Sequence, residues 1–204
     1  MASSCFTPAQ ASVVANLPLK SVHKLMDIRL VRPVRRRVGG KVQRFLSAEQ
    51  LLYLRVEGEG VRLLPIDARR EVALAIEKSP RADVVRLKEG QAVVIHLKEA
   101  RKRVEKDLNR LKKAEAMAVS DAEILRGTPV YRGTRIPIEL VADMLAQGAT
   151  PREIIDGYPA LKAEMVELAP LYVRAFPRRG RPLQRPWAKQ RPIRVARGAA
   201  GKTR

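Results

Sequence analysis

Cysteine is almost missing from this chain. Cys5 is the only one in 204 residues, which excludes an intrachain disulfide framework and a thiolate metal cluster. That scarcity fits a reducing, cytoplasmic setting. Aromatic residues make up 4% of the chain, too few for a platform that stacks the bases of single strands. No apolar run reaches bilayer-spanning length. No basic segment followed by a long apolar stretch opens the sequence, so a secretory leader is not expected. The two histidines, His23 and His96, stand apart without metal-ligand spacing. No Ser/His/Asp or Cys/His arrangement stands out, so neither catalysis nor a cofactor is expected. Gly-Lys-Thr at 201–203 lacks the glycine spacing, the strand and the helix that a phosphate loop requires.

Acids are also scarce relative to bases. The chain carries 41 Lys and Arg against 21 Asp and Glu, a formal net charge of +20. Such an excess points to a polyanionic partner. It is concentrated in two stretches. Residues 20–44 hold nine bases and one acid, Asp27, and residues 174–204 hold eleven bases and no acid. Neither stretch has the acids that an ordinary solvated surface would carry.

Local signals divide the rest. Thr7-Pro8 starts a short helix to about Ala15, with a hydroxyl cap and proline at the first position. Asn16-Leu17 reads as a turn, and Pro18 opens a second helix to about Arg29. Leu19, Val22 and Met26 fall on its apolar side, and Lys20, His23, Lys24 and Asp27 on its polar side. Residues 34–38 and 42–46 flank Gly39-Gly40, a pair suited to a tight hairpin turn. Ser47 and Gln50 form a capping box for a third helix, ended by Gly58 and Gly60. Asp67 is expected to cap a fourth. Alternation at Val85, Leu87, Val93, Ile95 and Leu97 around Lys88-Glu89-Gly90 predicts a second hairpin. Residues 98–118 form a charged helix with a narrow stripe at Val104, Leu108, Leu111 and Ala118, expected to be a connector or dimer seam rather than a core helix.

From Val119 a third region begins. Residues 121–126 are expected to form a short helix ended by Gly127, followed by an irregular segment containing Gly133. Pro137 opens a helix that Gly148 ends. Thr150, Pro151 and Glu153 open the next. Pro170 predicts a kink or an early end in the last helix, about 162–175. Residues 177–204 carry four prolines and too little apolar surface to fold alone.

Three constellations bear on function. In residues 7–46, Lys20, Ser21, His23 and Lys24 lie near the start of the second helix, where base edges or phosphates would be met. Arg35, Arg36, Arg37, Lys41 and Arg44 lie on the following hairpin and suit backbone phosphates. An ordinary helical hairpin with a charged surface is the alternative. The layout from "TPAQASVVANLPLKSVHKLMDIRLV" through the Arg-rich hairpin to "LSAEQLLYL" resembles the MerR-like winged helix–turn–helix, over roughly residues 7–54.

The second constellation is "SDAEILRGTPVYRGTRIPIELVADMLAQGATPREIIDGYPAL", residues 120–161. Gly127, Pro129-Val130, Arg132-Gly133-Thr134-Arg135-Ile136-Pro137 and Tyr158-Pro159 resemble the landmarks of the DUF433 family, found in antitoxins of the VapB type. Ala122 and Arg126 depart from that family's usual Pro and Gly. The resemblance implies a three-helix, homeodomain-like unit that binds DNA, dimerises or holds a partner. Arg132 and Arg135 would meet phosphate, or would pair with acids such as Glu139 and Asp143.

The third is the tail. The resemblance to these antitoxins implies a DNA-binding part followed by a segment that wraps a PIN-domain ribonuclease, whose active site is a carboxylate cluster. Arginines there would form charge-assisted bonds. Arg178, Arg179, Arg181 and Arg185 are the candidates, with Trp187 as an apolar anchor. A nonspecific nucleic-acid tail is the alternative.

The expected architecture is mainly α with small β-hairpins. It has a winged helix–turn–helix (1–78), a hairpin and connecting helix (79–118), a DUF433-like three-helix domain (119–176) and an extended basic tail (177–204). The expected function is that of a type II antitoxin, a cytoplasmic, nucleoid-associated homodimer with no membrane association. It would bind double-stranded operator DNA and neutralise a PIN-domain ribonuclease toxin. A MerR-like regulator without a toxin and a structural RNA-binding protein are the rival readings.

Overall fold

The structure, a computed structural model, describes residues 5–87 and 93–178. Among them it is mainly helical, with eight α-helices and three small antiparallel sheets. In chain order the elements are α1 (Pro8–Ala15), α2 (Leu19–Asp27), β1 (Val34–Val38), β2 (Lys41–Phe45), α3 (Ala48–Glu59) and α4 (Ile66–Lys78). There follow β3 (Val84–Arg86), β4 (Val94–His96), α5 (Lys98–Ala116), β5 (Ala118–Val119), β6 (Val130–Tyr131), α6 (Ile138–Ala146), α7 (Pro151–Gly157) and α8 (Ala163–Ala175).

The expected local signals operate where both partners are local. Thr7 with Gln10, Ser47 with Gln50 and Thr150 with Glu153 each form a complete capping box, satisfying amide groups that no helical carbonyl can reach. Asn16 takes a left-handed conformation (φ 53°, ψ 44°) and closes α1. Gly39 and Gly40 both have positive φ, 56° and 76°, the geometry that turns two right-twisted strands back on one another. β1 and β2 pair from Val34 opposite Phe45 to Val38 opposite Lys41. The second hairpin forms as β3 and β4, with Val85 opposite Ile95. Its turn lies outside the described residues.

Several expectations need correction. Gly58 does not end α3 but lies inside it, without the positive φ of a terminating glycine, and a Cβ there would stand 3.1 Å from the Leu17 side chain. Gly60 is the cap. Asp67 does not cap α4, since Pro65 holds that position and Asp67 instead pairs with Arg70 in the first turn. Residues 121–126 make turns rather than a helix: Leu125 and Arg126 are both left-handed (φ 48° and 56°), a conformation that cannot propagate a right-handed helix. Leu19 is 39% exposed, so Val22, Leu25 and Met26 form the buried side of α2.

The largest correction concerns α5. Ala100, Val104, Leu111 and Ala114 are buried in the same apolar cluster as Val14 of α1, Leu51 of α3 and Leu171 of α8. The stripe looked narrow because two of its members are alanines. Small side chains let neighbouring helices come close, and that closeness makes α5 a core helix. A second cluster gathers Tyr131, Ile138, Val141, Ile154, Leu161, Val166 and Ala169, uniting α6, α7 and α8.

Helix α8 serves both clusters. Val166 and Ala169 face the second, while Leu168, Leu171 and Ala175 face the first. This explains why Pro170 does not end it, and α8 continues to Ala175. An interior proline costs about 3 kcal/mol. Burying one leucine contributes about 1.5–3 kcal/mol, and Leu168 and Leu171, on either side of Pro170, are both nearly fully buried.

Candidate nucleic-acid interface

The candidate site is built on α2 and the β1–β2 hairpin. Val22, Leu25 and Met26 fix the inner side of α2. The helical period then leaves Lys20, His23, Lys24 and Asp27 exposed on the outer side, with Ser21 half-buried. No side chain caps the start of α2, and no acid lies in its first turn. The Ser21 amide already bonds the Pro18 carbonyl, so only the amides of Leu19 and Lys20 lack an intrahelical carbonyl, with the Lys20 side chain beside them, an arrangement that favours an anion.

The connection from α2 to β1 was not singled out in the sequence, yet it belongs here. Leu30 and Val31 are buried, and the Arg32 carbonyl accepts a 2.8 Å hydrogen bond from Gln50 Nε2. The loop is thus pinned by its middle. Arg29 and Arg32, on either side of the buried pair, are displayed to solvent. The signal was the order Arg-Leu-Val-Arg, two bases flanking two apolar residues.

The hairpin divides its bases between two faces. Arg35 stands opposite Arg44 and Arg37 opposite Val42, whereas Arg36 stands opposite Gln43 and Lys41 opposite Val38. Cross-strand partners share a face, so Arg35, Arg37 and Arg44 lie on one and Arg36 and Lys41 on the other. Arg44 Nη1 lies 3.3 Å from Asp27 Oδ1, which turns the first face toward the end of α2. Both strands are exposed along almost their whole length, Val34, Val38 and Val42 included. The hairpin is therefore held mainly at its base, where Phe6 bridges Leu46 and Arg44 reaches Asp27.

A shortage of acids sets this surface apart. Asp27, the single acid of residues 20–44, is already used by Arg44. Lys20, Lys24, Arg29, Arg32, Arg35, Arg36, Arg37 and Lys41 form no ion pair with any described residue. Elsewhere several cations are held in ion pairs. Arg69 bonds the buried Glu57, which also accepts from Tyr53 Oη at 2.9 Å. Arg55 bridges Glu59 and Asp107 at 2.7 and 3.1 Å, and Arg103 also reaches Glu59.

Arg132 and Arg135 are placed differently. Arg132 Nε donates to the Ala116 carbonyl at 3.1 Å and its Nη2 to Ala118 at 3.3 Å. Its guanidinium thus closes the carbonyl end of α5, a favourable place for a cation. Arg135 is exposed. Between them Gly133 (φ 78°) completes a turn in which Thr134 N–H donates to the Tyr131 carbonyl at 2.9 Å. At the far end, Arg178 lies 3.7 Å from Glu139 of α6. Arg179, Arg181, Arg185 and Trp187 lie outside the described residues. Among the described residues, no three His, Cys, Asp or Glu side chains converge as a metal site, and no helix is long and apolar enough to cross a membrane.

The turn at Gly133 and the helices after it have a recognisable sequence. Residues 119–173 match the family described as "Protein of unknown function (DUF433)". The matched stretch runs from β5 to α8 and contains every buried residue of the second cluster. An uncharacterized protein, y4eO, of Sinorhizobium fredii is 42% identical over 74 residues, 36% of this chain and 34% of that relative's length. The chain thus matches about a third of that relative. In backbone the chain is loosely similar to the crystal structure of Rv2018 from Mycobacterium tuberculosis. The TM-score is 0.30 at 15% identity, covering 80% of this chain and 95% of that one.

Proposed function

We propose that this chain binds double-stranded DNA through α2, the loop after it and the β1–β2 hairpin, used as a winged helix–turn–helix. One observation carries the proposal. Eight cations on contiguous segments have no ion-pair partner among the described residues, and most of them lie on a scaffold that holds them outward. An unpaired cationic surface is stabilised by phosphates, which release their counterions when it binds. Lys20 and Lys24 at the start of α2 would meet phosphates or base edges of the major groove, and the hairpin would follow the adjoining backbone.

We further propose that the protein acts as a type II antitoxin, binding its operator as a dimer and neutralising a PIN-domain ribonuclease with residues 177–204. The support is the eleven bases and no acid of residues 174–204, together with the DUF433 region that precedes the tail. The same composition supports a regulator whose tail only tightens DNA binding. Deleting residues 177–204 separates the two. In an antitoxin, operator affinity largely survives while ribonuclease inhibition is lost. In a regulator, affinity for all duplexes falls and the salt slope flattens. Recovery of no ribonuclease from the native host, with no growth rescue on co-expression, would sink the antitoxin reading. RNA competing better than any duplex would sink the DNA reading.

A further inference from the structure

We propose that two copies of this chain pair through the outer face of α4, around a two-fold axis between Ala68 and Arg69. Val72, Ala73 and Ile76 bury the inner face of this helix. On the outside, Ile66, Arg70 and Leu74 recur at every fourth position and so form one stripe. Leu74 is 61% exposed and Ile66 38%. Leu63, in the turn leading into the helix, is 83% exposed. Single exposed leucines are ordinary, but three large apolar side chains within a dozen residues form a patch. Asp67 and Arg70 sit in the middle of it, 2.9 Å apart and largely exposed.

The central charged pair is self-complementary, although the same axis sets Ile66 opposite the partner's Glu71. A two-fold contact requires that if one residue meets another, the second meets the first. With antiparallel helices and the axis between Ala68 and Arg69, Asp67 faces the partner's Arg70 and Arg70 the partner's Asp67. The same operation carries Leu74 past the start of the partner's helix, the end where the exposed Leu63 of the preceding turn lies. An unrelated partner would have no need of this symmetry.

Charge selects the same face. Two copies of a chain with net charge +20 repel wherever their basic surfaces meet. Along Ile66–Lys78, three acids (Asp67, Glu71, Glu77) balance three bases (Arg69, Arg70, Lys78). This helix is thus neutral in sum, unlike α2 and the hairpin. The proposal gives the dimer assumed for operator binding a surface, but it does not depend on DNA.

The test is sedimentation of the full chain without nucleic acid. The natural chain is expected to be a dimer at micromolar concentration. Asp67→Arg sets arginine against arginine, and Arg70→Asp sets aspartate against aspartate. Each is expected to raise the dissociation constant by roughly tenfold or more, since opposed like charges weaken an interface. An equimolar mixture of the two variants is expected to form a mixed dimer, and the double exchange Asp67→Arg with Arg70→Asp to pair with itself. Circular dichroism checks that each variant is folded. A monomeric natural chain, a dimer that survives Asp67→Arg, or folded variants that do not pair when mixed would each overturn the proposal.

Discussion

At the scale of the residue, backbone conformation and burial act where composition is silent. Leu125, Arg126 and Gly127 are left-handed in succession (φ 48°, 56° and 74°). A residue with a Cβ is disfavoured there by about 1–2 kcal/mol, whereas glycine is not. Arg126 is exposed, so its side chain gives little in return. Arg126→Gly is expected to stabilise the fold by about 0.5–1 kcal/mol, after the larger unfolded-state entropy of glycine is subtracted. Thermal melting should show a rise of a few degrees, and Arg126→Ala should show none. Burial also raises the hydroxyl pKa of Tyr53 and Tyr131 well above 10, for Tyr53 with help from the Glu57 carboxylate. In the unfolded chain both ionise near pH 10, while the fold keeps them protonated. Their contribution is therefore complete below pH 10 and is lost as pH rises further. Tyr131→Phe should cost about 1 kcal/mol at neutral pH, through the lost hydrogen bond to the Met165 carbonyl. It should then lose less stability than the parent between neutral pH and strongly alkaline pH. An equal loss in both would contradict this account.

At the scale of the element, the sequence was readable where cause and effect are neighbours. The Thr7 cap, the capping boxes at Ser47 and Thr150 and the Gly39-Gly40 turn are settled within four residues, and all were legible, whereas the part of Gln10 in the first was not. The outward set Lys20, His23 and Lys24 was legible too, because helical period alone separates it from Val22 and Met26. What was not legible depends on distant partners. Gly58 is set by Leu17, and Arg132 by carbonyls at the end of α5. Arg29 and Arg32 depend on a loop pinned by Gln50. The division of the hairpin was hidden too, since five bases in a row of letters do not show which share a face. It yields a prediction. If the duplex lies against the face turned to α2, Arg35→Ala with Arg37→Ala should weaken binding more than Arg36→Ala with Lys41→Ala. Each lost phosphate contact should reduce the slope of log affinity against log salt by about 0.9. Lys20→Ala with Lys24→Ala should cost about 1–3 kcal/mol per specific contact. Fluorescence anisotropy across a salt series measures both. Equal slopes for the two hairpin pairs would show that both faces are engaged, as when the hairpin enters a groove edge-on.

At the scale of the whole molecule, α8 decides how many independent parts the protein has. Sequence divides it near Val119, where the charged helix ends and the DUF433 region begins. Packing crosses that line, because Leu168, Leu171 and Ala175 lie in the cluster that also holds α1, α3 and α5, while Val166 and Ala169 lie in the cluster of α6 and α7. Tyr172 and Met117 touch both clusters. A helix with two buried faces couples what it joins, so loss of one cluster should lower the stability of the other. Leu171→Ala removes side-chain volume from the first cluster and should cost about 2–5 kcal/mol. Val166→Ala acts on the second. With coupling, either substitution lowers amide protection in both α1 and α6, and each variant melts in a single transition. Without it, Leu171→Ala leaves α6 protected and Val166→Ala leaves α1 protected, and two transitions separate. Hydrogen exchange read by mass spectrometry distinguishes the outcomes directly. The coupled result has a consequence for the nucleic-acid surface. Helix α1 packs against both α8 and α2, so the outward cations of α2 are held in place partly by a helix of the stretch that matches DUF433. Leu171→Ala should then weaken DNA binding although every proposed contact on α2, the hairpin and residues 177–204 is still present.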